Sequence, residues 1–109
     1  MIDSHCHLNF EKLSSNLQNI INRCKENEVT KIISINTNPK EFKKHLDLIE
    51  EYNNVYIAYG IHPQEINIDS YFSFDDLRYH ISNNKLIGLG ETGLDFFHSI
   101  EFKKKQVEI

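Results

Sequence analysis

Strand-length apolar runs alternate with segments of helical period along the whole chain, and this alternation limits the folds open to it. The runs are MIDSH at the start, KIISIN at 31–36, VYIAYGI at 55–61 and KLIGLGE at 85–91. Each is rich in Ile, Val, Tyr or Leu. The middle two carry apolar residues on both faces, as strands covered on both sides do. After the first run, Leu13, Leu17, Ile20, Ile21 and Cys24 recur at helical spacing as an amphipathic stripe, and Phe42, Leu46 and Ile49 form a second. The start of the second is signalled by Asn38 at an N-cap, Pro39 at the first helical position and Glu41 three residues past the cap. A third helix is expected from Ser73 to Ile81, with Phe74, Leu77 and Ile81 turned inward and two aspartates in its first turn. A fourth begins near Ile100 and carries Phe102 and Val107. The order βαβαβαβα, with crossovers long enough to hold helices, predicts an α/β fold with a parallel sheet and right-handed connections. No linker interrupts it, so residues 1–109 read as a single domain.

Composition narrows the function classes. With 39% hydrophobic and 26% charged residues the chain belongs with soluble globular proteins rather than disordered ones. A formal net charge of −4 and the lack of a basic stripe argue against tight, passive nucleic-acid binding. A metal-assisted enzyme acting on a phosphodiester stays compatible, because the ion itself supplies local positive charge. The run Lys103–Lys105 reads as a solvated helix face. Cys6 and Cys24 form no disulfide pattern and no C-x-x-C motif. There is no charged leader ahead of an apolar run and no membrane-length apolar stretch, so the expected compartment is the cytoplasm, with reduced thiols and no membrane contact.

Three short stretches carry the chemistry: HCH at 5–7, GIHP at 60–63 and GETGLD at 90–95. All fall just past the C-terminal ends of expected strands, the edge where parallel α/β folds gather ligands and catalytic groups. Strand alternation turns positions 3, 5 and 7 to one face, so His5 and His7 can converge on one ion. Glu91 is a third candidate ligand, with two oxygens to bridge a pair of ions, and Gly88, Gly90 and Gly93 around it permit tight turns. Nitrogen and oxygen donors together suit zinc, manganese or magnesium. Plainer readings stand beside these. His62 before Pro63 equally shapes a turn, Asp95 equally caps one, and Asp3 orders an imidazole. His45 and His80, on helical segments, are expected to be solvated or partly packed, and Cys6 to face away from its histidine neighbours into packing.

Taken together, MIDSHCHL, GIHP and GETGLDFF, in this order and at this spacing, resemble the N-terminal part of the TatD family of metal-dependent hydrolases. The resemblance implies a TIM-barrel fold related to the amidohydrolases and hydrolysis of ester bonds, usually as a deoxyribonuclease. It makes His5 and His7 the first-strand metal ligands and Glu91 the shared carboxylate ligand of one or two divalent ions, the catalytic centre. It sets His62 and Asp95 beside the metals as substrate-facing or supporting residues. Asn9 stands where the family often has an aspartate, and Thr92 replaces the more usual aliphatic residue.

A complete barrel of this kind takes about 250 residues and eight strands. Four βα units are legible here, so the chain is expected to be the truncated first half of a (β/α)8 barrel. The family pattern also asks for two further histidines and an aspartate from later strands, and His98, directly after the fourth strand, cannot replace them. Two readings stay open. One is a hydrolase half that acts on DNA or another ester after pairing with itself or with a C-terminal half-barrel, since unpaired sheet edges favour association. The other is a non-catalytic remnant of a disrupted gene. A small open-sheet binding module accounts for the βα order but not for the three motifs.

Overall fold

All four apolar runs form strands: β1 (Ile2–Cys6), β2 (Lys31–Ile35), β3 (Val55–Tyr59) and β4 (Leu86–Leu89). In a computed structural model that describes residues 1–109, they make one sheet in the order β1-β2-β3-β4, every pair parallel. Sequential order without reversal is the arc of a βα barrel; a doubly wound sheet would reverse direction at a switch point. No helix is long and apolar enough to cross a membrane.

The first helical stripe is divided in two, α1 (Glu11–Ser14) and α2 (Leu17–Glu26), of which α2 buries Leu17 and Ile21. The second begins as its signals predict. The Asn38 side chain accepts the Lys40 N–H at 3.0 Å, Pro39–Glu41 form a single 3-10 turn, and α3 (Phe42–Ile49) follows. Ser73 caps α4 (Phe74–His80) by accepting the Asp76 N–H at 3.1 Å. After β4, a 3-10 turn at Ile100–Phe102 leads into α5 (Lys103–Glu108). The core lies between the sheet and these helices. Ile32 of β2 and Val55, Ile57 and Tyr59 of β3 pack there against Leu17 and Ile21 of α2 and Phe42, Leu46 and Ile49 of α3.

Two expectations about burial fail, on α4 and at His45, each for a local reason. On α4, Leu77 packs inward, but Phe74 and Ile81 are exposed. Phe72 and His80 take the inner positions instead, the His80 ring lying 4.7 Å from Phe42 and 6.4 Å from Tyr59. On α5, Val107 is exposed, Phe102 is half-buried and Gln106 is buried. The Gln106 amide accepts the Asp95 N–H and donates to the carbonyls of Asp95 and Ser99, so a polar side chain closes the loop after β4. His45, expected to be solvated or partly packed, is 1% exposed on the inner face of α3. Cys6 meets its expectation: it packs against the core, its thiol 3.6 Å from the Ile33 carbonyl, and burial pushes the thiol up to about 12.

Candidate metal centre at the C-terminal edge of the sheet

The HCH stretch is shaped by an irregularity in β1. Asp3 pairs with Ile32 and Cys6 with Ser34, so three steps along β1 match two along β2. An extra residue in a strand re-aims the side chains beside it. Asp3 contributes to this backbone and not to an imidazole: its carboxylate accepts the His5 backbone N–H at 3.1 Å. His7 follows the last strand residue. Its Nδ1 lies 3.0 Å from the Ile35 carbonyl, an acceptor only, so Nδ1 carries the proton and Nε2 keeps its lone pair. The Phe10 ring stacks on the His7 imidazole at 4.8 Å and 12°, fixing the plane of the ring.

Glu91 reaches the histidines from the end of β4. Its Oε2 lies 3.3 Å from His5 Nε2 and 3.9 Å from His7 Nε2, and its Oε1 lies 3.3 Å from His62 Nε2. His62 enters from the end of β3. Its Nδ1 accepts the Gln64 N–H at 3.1 Å, which places the ring proton on Nε2, the nitrogen that faces Glu91 Oε1. His62 thus lies on one oxygen of the carboxylate, and His5 and His7 on the other. Gly60 makes the approach of the two strand ends possible. A Cβ there would stand 2.6 Å from the Gly90 carbonyl carbon and 2.8 Å from the Glu91 backbone carbonyl oxygen. Of the glycines near Glu91, Gly90 and Gly93 hold positive φ values of 155° and 148° that other residues rarely adopt, whereas Gly88 sits in open space.

Donor atoms of His5, His7 and Glu91 all lie within 4.8 Å of one another. Ligand atoms about 2.1 Å from one shared ion stand roughly 3 to 4 Å apart, so the set fits a divalent cation with little movement. The fit rests on imidazole nitrogens of His5 and His7, the latter unprotonated at Nε2, and a carboxylate oxygen, the donor chemistry of zinc, manganese and magnesium sites. All four side chains stay open to solvent, His7 24%, His62 26%, Glu91 33% and His5 55% exposed, so a substrate can reach them.

Asp95 stands apart from this cluster. Its Oδ1 accepts the backbone N–H groups of Phe97 and His98, and its Oδ2 lies 2.9 Å from Gln64 Nε2 and 2.8 Å from His98 Nδ1. The Gln64 amide and then these loop donors hold its carboxyl well below the usual carboxylate range. Asp95 thus anchors the loop after β4 and reaches the centre only through Gln64, whose backbone N–H sets the His62 ring. Gln64 and Phe10 escape a reading of the sequence, because neither a glutamine nor an exposed phenylalanine bears a spacing signal. Gly60 stands in the GIHP motif itself, but its contact with β4 appears only once the strands are neighbours.

A sequential βα arc with two histidines and a glutamate on the C-terminal edge of its strands has the fold and donor set of the metal-dependent hydrolase barrels. The family model described as TatD related DNase matches residues 2–109, and the chain belongs to this family. It is 34% identical, over 97% of its length, to an uncharacterized metal-dependent hydrolase of Buchnera aphidicola subsp. Baizongia pistaciae. It is 30% identical, over 99% of its length, to the uncharacterized metal-dependent hydrolase YcfH of Escherichia coli K12. The crystal structure of YjjV, a TatD homologue from E. coli K12, superposes over 99% of the chain with a TM-score of 0.84 at 31% identity. The chain spans 41% of the length of each of the two relatives and 42% of the YjjV chain. The fold is therefore the N-terminal four-strand portion of a TatD barrel.

Proposed function

We propose that the chain carries the first-half ligand set of a divalent-metal phosphodiesterase centre acting on DNA. The observation behind this reading is the convergence of His5, His7 and Glu91 donor atoms within 4.8 Å. His5 and His7 hold one divalent ion, zinc, manganese or magnesium, and Glu91 is the carboxylate ligand, with an oxygen to share with a second. When bound, such an ion supplies Lewis acidity at the phosphoryl oxygen and makes water acidic enough to attack near neutral pH. The chain's own residues prepare that step. Ile35 keeps His7 Nε2 unprotonated. His62 Nε2 stands 3.3 Å from Glu91 Oε1 while Oε2 faces the two histidines, and its N–H can be donated to a phosphate oxygen at the open edge. Asp95 supports this through Gln64.

Four strands supply part of a barrel's ligands, and β1 and β4 are sheet edges. The remaining ligands come from a C-terminal half-barrel or a second copy that covers these edges. Residues 1–109 form one domain in this assembly, and free Cys6 and Cys24 suit a reducing cytoplasm.

The test is release of nucleotides from single-stranded DNA by the purified chain with zinc, manganese or magnesium, with and without chelator and beside His5→Ala. Calorimetric metal titration runs in parallel. Metal binding and nucleotide release, both lost in the variant, are expected if the chain completes its site by self-association. Metal binding without release shows a ligand set that holds the ion but does not complete a catalytic centre by self-association. A folded chain that binds no divalent ion overturns the reading.

A further inference from the structure

Behind the candidate centre, on the helix side of the sheet, lies a buried polar set that touches none of the proposed ligands' donor atoms. Ser34 and Asn36 are 0% exposed and His45 is 1% exposed. Groups so deeply buried persist only with hydrogen-bond partners. Ser34 Oγ accepts the Leu8 backbone N–H at 3.0 Å and lies 2.7 Å from His45 Nε2, while Asn36 Nδ2 lies 3.4 Å from His45 Nδ1. Asn36 Oδ1 is buried without a partner.

The donor and acceptor roles follow. The serine hydroxyl has two lone pairs and takes the Leu8 N–H on one of them. The Asn36 Nδ2–H faces His45 Nδ1, which accepts it, so the imidazole proton sits on Nε2 and is donated to the second lone pair of Ser34 Oγ. Burial, reinforced by the His7 ring nearby, brings the His45 pKa down to about 4, so the ring stays neutral.

The location gives this network a task. The β1–β2 ladder ends with Cys6 opposite Ser34, and His7 and Leu8 lie beyond it. Two bonds take over from the ladder: His7 Nδ1–H to the Ile35 carbonyl, and Leu8 N–H to Ser34 Oγ. Adjacent residues of one segment are thereby tied to adjacent residues of the other. We propose that His45 is a positioning residue of the centre: through Ser34 it fixes the Leu8 amide and so holds His7 with Nδ1–H on Ile35 and Nε2 facing Glu91. This rests on the reading of His7 as a ligand, though the positioning of His7 can be tested without metal.

Long-range proton–nitrogen NMR correlations on the histidine rings of the intact chain are the test, with zinc titration as a second readout. Wild type is expected to show His45 protonated at Nε2 and His7 in a single Nδ1–H tautomer. His45→Leu should leave His7 in mixed tautomers and weaken zinc binding roughly tenfold, the low end of the usual loss when a ligand's supporting partner is removed. His45→Gln, whose side-chain amide can donate to Ser34, should restore both. Ser34→Ala removes one oxygen and serves where leucine does not fit the core. His45 protonated at Nδ1 in wild type overturns the inference. So does an unchanged His7 tautomer in folded Ser34→Ala and His45→Leu, even with lowered stability. If wild type binds no zinc while His7 responds as described, the metal reading fails and the positioning survives it.

Discussion

A histidine at 1% exposure shows how little apolar periodicity says about polar residues. His45 completes the inner stripe of α3 with Phe42, Leu46 and Ile49, at positions three, one and four residues away. The signal was present in the spacing but bore the wrong chemistry. The consequence appears in acid. In the unfolded chain this imidazole takes a proton near 6.5, whereas the folded protein resists until about 4. Between those values the unfolded state binds more protons, so stability falls as pH drops through the window, by on the order of 2–3 kcal/mol. Asp95 behaves differently, because its carboxyl is held below its ordinary 3.8 and its contribution is lost only as pH falls beneath that value. Urea midpoints measured from pH 7.5 to 3 are expected to decline in two stages. His45→Gln flattens the first stage and Asp95→Asn the second. A single decline confined below pH 4 in wild type would contradict the burial of a neutral His45.

Packing of one element on another decides which glycines matter. Gly60, at the end of β3, faces the backbone of Gly90 and Glu91 so closely that a methyl group has no room. Gly60→Ala must push the end of β4 away, with a loss of about 1–3 kcal/mol and displacement of the Glu91 carboxylate from His5. Metal titration and urea denaturation of this variant should therefore fail together. Gly88→Ala, with nothing near its position, should leave metal binding intact and stability within about 1 kcal/mol of wild type. Helix starts give a local control. Ser73→Ala removes the cap on the Asp76 N–H and should cost about 1 kcal/mol without altering the metal isotherm. Comparable metal loss in all three variants would mean that global stability, not the β3–β4 contact, governs the site.

For the molecule as a whole, the sheet's outer strands dominate its expected behaviour in solution. The edges β1 and β4 carry exposed Ile2, Ile87 and Leu89. Unpaired edges of this kind pair readily with another chain. Light scattering should report a concentration-dependent species larger than one chain, and Ile2→Lys with Leu89→Lys should return it to a monomer. A wild-type monomer at all concentrations would remove self-association as the route to a complete site and leave a C-terminal half-barrel as the partner.

Strand and helix order, the caps at Asn38 and Ser73 and the three strand-end motifs were legible in the residues. Each depends on local chemistry: alternation, helical period, and side chains that satisfy nearby backbone groups. The parallel order β1-β2-β3-β4 followed from those elements and the handedness of their connections. Other features needed the assembled chain. At α4 the inner positions fall to His80 and to Phe72 just ahead of the helix rather than to Phe74 and Ile81, and on α5 Gln106 is buried, because burial there depends on which neighbour supplies an aromatic contact or a hydrogen bond. The roles of Gly60, Gln64 and His45 likewise exist only across strand and helix contacts distant in sequence. Periodicity records the average polarity of a face. Which polar atom finds its partner within 3 Å is decided by the tertiary structure, because hydrogen bonds are directional and short.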